Sequence, residues 1–199
     1  MSRPTVTAAK FAKLAVVPLA LVASGVVVSQ ASYSAYSAST SNPTSNWTSG
    51  TVALSDDDSS TALFTASNLK PGSTGEKCIA VTSSGSLAST VKLYATGAAT
   101  TKALASSINL SVTQGTGGSF GSCTGFTALG SGSSVYSGTV AGFGSTATSY
   151  ATGVGTWAPT GTASETRTYK VVYTLSDTAP DTTQGGTASL GFTWEAQNS

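Results

Sequence analysis

Few residues in this chain can do covalent or metal chemistry. There is no histidine, and the single methionine is Met1. That removes Ser-His-Asp and Cys-His nucleophilic sites and every histidine-based zinc motif. A Ser–Lys pair or a pair of hydrolytic carboxylates stays chemically conceivable, but no spacing marks either one. The only charged constellation is Asp56-Asp57-Asp58. Adjacent carboxylates with nearby carbonyls could hold a hard cation such as calcium, although the glycine and glutamate of an EF-hand loop do not follow. The alternative is a solvated loop between a Val52–Leu54 strand and a Leu63–Phe64 strand, where Asp tolerates turn geometry. The residues support no catalytic site, no cofactor and no metal site beyond that acidic run.

Cys78 and Cys123 are the only cysteines. In an exported chain they fit one disulfide. It would close a loop of about 45 residues, worth at most about 4 kcal/mol by chain entropy. Three tryptophans could stack on sugars. Trp194 lies on the apolar face of an alternating run and reads as core, while Trp47 and Trp157 stay open. Asn46-Trp47-Thr48 and Asn109-Leu110-Ser111 match the glycosylation sequon, which carries weight only in a host that uses it.

The elements that must position these residues are extended. The 199 residues include 34 serines and 33 threonines, and only 9% are charged, against roughly 25% in an average soluble domain. With 39% hydrophobic residues set in alternating runs, a core is available. Branched threonine favours pleated structure. Thr166–Ser176 alternates with Tyr169, Val171, Tyr173 and Leu175 on one side. Thr187–Gln197 alternates with Ala188, Leu190, Phe192 and Trp194 inward. Shorter versions run through Ile108, Leu110 and Val112, through Ile79 and Val81, and through Val91 and Leu93. A weaker one covers Tyr33–Thr40. Asn68–Gly72 has the Pro-Gly order of a type II turn. Ser83–Ser86 reads as a hairpin loop, Gln114–Gly125 as a glycine-rich loop and Asp177–Gly186 as a polar loop. Ala141–Trp157 lacks a clear period and is expected to hold a short helix or an irregular crossover. About eight short strands predict an all-β, antiparallel β-sandwich or jelly roll.

The N-terminus reads as a targeting segment. Arg3, Lys10 and Lys13 precede the 15-residue apolar stretch Leu14–Val28, which is short of the ~20 residues of a membrane span and carries Pro18 and Gly25. This is the pattern of a secretory signal peptide, with small residues placed for cleavage after Ala31 or after Ser34; an uncleaved anchor is the alternative. The expected organisation is a signal peptide followed by one domain. The mature chain then holds six basic and eight acidic residues, a net charge of −2. No basic cluster remains for nucleic acid, and a membrane is met only through the signal segment.

The run SNPTSNWTSGTVALSDDDSS followed by ALFTASNLKPGSTGEKCIAVTSSGSLASTVKLYA resembles the TasA/camelysin family of Gram-positive secreted proteins. The likeness covers most of residues 20–95. It includes an aromatic soon after the cleavage site, a GT-hydrophobic-x-L strand, the LKPG turn at Leu69–Gly72 and a hairpin around Gly85-Ser86-Leu87. The two cysteines and the Thr/Ser-rich style resemble an actinobacterial branch. The resemblance implies a jelly-roll fold, export through a dedicated type I signal peptidase and cleavage between Ser34 and Ala35, which sets the signal peptide at residues 1–34 and the single domain at 35–199. It also implies an extracellular role at the cell surface or in a biofilm matrix as a fibre subunit, with other copies and other matrix proteins as partners. Camelysin relatives are also called metalloendopeptidases, but no metal ligand can be carried over. The stretch Ala35, Tyr36, Ser37, Ala38, Ser39 and Thr40 is uncharged and small, and is expected to add as a strand to a sheet edge of the next copy. A carbohydrate-binding adhesin using Trp47 or Trp157 is the other alternative.

Overall fold

A computed structural model describes residues 49–198. The expected signal segment, the Ser34–Ala35 junction, the Ala35–Thr40 stretch, Asn46 and Trp47 lie outside the described residues. Ser49 onward forms one compact unit.

The described chain is an antiparallel β-sandwich. Its larger sheet runs β1 (Leu54–Asp56), β2 (Thr74–Ser83), β8 (Glu165–Leu175), β4 (Ile108–Thr116), with β5 (Thr127–Ala128) and β6 (Ser134–Thr139) both pairing with β4. The smaller sheet runs β7 (Val154–Trp157), β3 (Ser89–Thr100), β9 (Ala188–Asn198). Strands distant in sequence lie side by side, β2 with β8, β8 with β4 and β3 with β9, in the interleaving of a jelly roll.

Period-two patterning explains the strands. In β8, Tyr169, Val171 and Leu175 are buried. Val81 of β2, Val91 and Leu93 of β3, and Leu110 and Val112 of β4 meet them from both sheets, with Phe143 fully enclosed at the centre. Phe143 is supplied by a short helix, α2 (Val140–Thr146), capped by the Thr139 hydroxyl accepting from the Gly142 N–H. The aperiodic stretch Ala141–Trp157 therefore holds a helix, a 3-10 turn at Tyr150–Thr152 and then β7. A one-turn helix, α1 (Leu104–Ser107), links β3 to β4. The Pro71–Gly72 turn is type II: Ser73 N–H donates to Lys70 O at 2.8 Å and Gly72 has φ of 81°.

Three local expectations are corrected. Ser83–Ser86 is not a hairpin loop, because β2 and β3 belong to different sheets. Either arrangement would turn Ile79, Val81, Val91 and Leu93 to one core, but β2 pairs with β1 and β8 while β3 pairs with β7 and β9, so the segment crosses between the sheets. Backbone bonds from Ser84 to Ala53 and from Ser86 to Thr51 hold the crossing. The strand expected at Val52–Leu54 begins at Leu54 instead and includes Asp56. Leu63–Phe64 is not a strand; Phe64 contributes its ring, edge-on to Tyr173 at 5.1 Å.

Candidate functional site

Two features of the sandwich stand out, one open strand edge and one clasped strand edge. The first is the outer edge of β9. Ser89 and Ala95 of β3 send their N–H groups to Pro159 and Ala147, on the side away from β9. Antiparallel alternation then assigns the even-numbered residues of β3 to β9, in the pairs Lys92↔Glu195, Tyr94↔Thr193 and Thr96↔Gly191. It follows that Leu190, Phe192, Trp194 and Ala196 direct their backbone N–H and C=O groups to the opposite side. Among the described residues no strand pairs with β9 there. A groove of about 940 Å³ opens beside the first half of this edge. Leu190, Phe192, Ile108, Leu110, Tyr173 and Phe64 line it together with polar residues such as Asn68, Asp181 and Ser189. The sequence reading placed Leu190 and Phe192 inward; the structure leaves them half-buried, facing a space that the described chain does not fill.

The second feature is a clasp over β2. Cys78 and Cys123 form the disulfide, with Cα atoms 5.1 Å apart. Cys78 points to the outer face of the larger sheet yet has no exposure, because the β4–β5 loop crosses that face. Phe126 of the loop lies by the Lys170 ammonium at 5.5 Å, and Gly121 N–H donates to Cys78 O at 2.9 Å. Lys170 also pairs with Glu76 at 3.3 Å on this face.

The acidic run is divided in its tasks. Asp57 is not a free loop carboxylate: its Oδ1 accepts from Ala80 N–H at 2.8 Å and its Oδ2 from Phe120 N–H at 2.7 Å, tying β2 to the disulfide loop. Asp58 Oδ1 accepts from Ser60 N–H at 2.6 Å and shapes the turn after β1. Partial burial, and then hydrogen bonding with Asp58, push the Asp56 carboxyl above its ordinary value. Asp56 and Asp57 are exposed and Asp57–Asp58 lie in a bend, as a solvated loop requires; the tie made by Asp57 left no sequence signal because the N–H groups it binds lie 23 and 63 residues away. Among the described residues no group of three or more Cys, Asp or Glu side chains converges to hold a metal ion.

Trp157 is in the core at 4% exposure, under the Arg167 guanidinium. Trp194 packs at 5.2 Å on Tyr169. Trp157 therefore presents no free ring face for a sugar, and Trp194 is half-buried against the core. Asn109 is exposed on β4. No helix among the described residues is long and apolar enough to cross a membrane, and the disulfide is compatible with an oxidising, extracellular setting.

No protein-family model matches the chain, and no curated protein matches it.

Proposed function

We propose that the protein is a secreted structural subunit of a cell surface or biofilm matrix, and that copies assemble into fibres by strand addition. The N-terminal stretch Ala35–Thr40 of one copy, freed by signal peptidase cleavage after Ser34, lies along β9 of the next. The observation that carries this reading is the edge of β9, unpaired among the described residues, beside a groove lined in part by apolar side chains. Edge N–H and C=O groups give affinity to any extended backbone, and a groove that takes alternate side chains gives register. Tyr36 is the side chain large enough to enter it. A head-to-tail contact of this kind does not close on itself, so it propagates as a filament. The low charge of the mature chain suits close packing of subunits. The resemblance to the TasA/camelysin family points the same way.

Electron microscopy of the export-processed chain tests the reading. Filaments are expected, together with their loss when residues 35–42 are deleted while the circular dichroism of the sandwich is retained. Unaltered filaments from the deletion variant reject the mechanism.

A further inference from the structure

We propose that the stretch of the β2 edge around Cys78 and Ala80 is a second strand-accepting edge, held shut by Asp57 and the disulfide-bound loop. The argument begins with the short span of β1. It pairs with β2 only from Val81 to Ser83, although β2 reaches back to Thr74. The bond from Ser84 N–H to Ala53 O shows that even-numbered positions at this edge face β1. The next even positions down the strand are Ala80 and Cys78, where β1 no longer runs. The Asp57 carboxylate takes the Ala80 N–H at 2.8 Å. Gly121 N–H occupies the Cys78 carbonyl at 2.9 Å. The other Asp57 oxygen holds Phe120 N–H at 2.7 Å, and the Cys78–Cys123 bond fixes the same loop to the same strand. A carboxylate and a tethered loop thus take the place of a neighbouring strand at successive bonding positions.

Such a guard has a physical purpose. A donor held through backbone bonds does not discriminate between free edges, and exposed edges invite unwanted pairing. A further accepting edge beside β9 would let one donor seat in two ways and give branched or sideways-joined assemblies. The occupant of the opened edge is the N-terminal stretch of a second copy, a choice that rests on the fibre reading above.

The test uses the export-processed chain carrying Asp57→Ala, and separately the Cys78→Ser/Cys123→Ser pair, with Asp57→Asn as a milder variant that keeps one acceptor oxygen. Hydrogen exchange is read at the Ala80 amide, and filaments are read by electron microscopy and mass per length. At least tenfold faster exchange at Ala80 and branched or laterally joined filaments are expected. Unchanged exchange at Ala80, or open edges with unbranched filaments of unaltered mass per length, overturns the proposal. A synthetic peptide of residues 35–42 separates this proposal from the fibre reading. It is expected to restore protection of Ala80 in the guard variants and leave it unaltered in the parent. If the parent makes no filaments the fibre reading fails, and the peptide still decides the guard: no protection of Ala80 in any variant overturns it.

Discussion

Leu190→Pro probes the β9 edge with Leu190→Ala as its partner. Leu190 is half-buried and its N–H points away from β3, so neither substitution removes a ladder bond within the described fold. Losing the side chain costs roughly half of the usual 2–5 kcal/mol for a buried leucine, about 1–2.5 kcal/mol. For a domain of this size that lowers Tm by about 2–10 °C. Proline adds less than about 1 kcal/mol within the monomer, because strand prolines are tolerated where the N–H faces outward. Its effect on an added strand is different in kind. It removes an outward donor and leaves an acceptor of the incoming backbone unpaired, a penalty of about 1–3 kcal/mol. At 1.4 kcal/mol per tenfold, that raises the concentration needed for polymerisation about 5- to 140-fold over Leu190→Ala. Thermal melts by circular dichroism measure the first quantity, and pelleting across a concentration series measures the second. Equal polymerisation of the proline and alanine variants would refute the assignment of β9 as the accepting edge.

Three further outcomes test the fold that carries these edges. Reducing the Cys78–Cys123 bond, which spans 45 positions, is expected to lower stability in urea by up to about 4 kcal/mol; a loss under about 1 kcal/mol would mean the loop is held by its other contacts. Gly117 and Gly125 share a positive φ near 75°, but a Cβ on Gly117 meets the Gly125 carbonyl oxygen whereas one on Gly125 meets nothing within 4 Å. Gly125→Ala should cost about 1 kcal/mol from backbone strain alone and Gly117→Ala roughly 3 kcal/mol or more, read as a difference in urea midpoint. Burial pushes the Tyr169 hydroxyl far above its ordinary value of 10.0. The unfolded chain then loses its proton first as pH rises, so the stability contributed by the neutral hydroxyl is complete below pH 10 and declines above it. Tyr169→Phe should flatten that alkaline decline in pH-dependent melts.

The sequence by itself determined the fold class, because side-chain alternation at period two is a local property. It picked out Tyr169, Val171 and Leu175 of β8, Ile79 and Val81 of β2, and the inward set of β9 without knowledge of their partners. The Pro71–Gly72 turn was equally legible, since backbone angles at those two residues depend on their own chemistry. Two cysteines in a chain with a leader-like start left one intramolecular pairing to test, and the geometry contains it. Tertiary structure alone decided the remainder. Alternation says which side of a strand is apolar but not which sheet it joins, so β2 and β3 read as a hairpin and instead face each other across the core. Asp57 looked like a turn residue because the N–H groups it binds are brought to it by β2 and by a loop from the far side of the sheet. Sequence position also cannot say which strand ends at an edge. That, among the described residues, β9 is left with an open side and β2 is closed by a carboxylate follows from strand order, which long-range packing sets and no local pattern encodes.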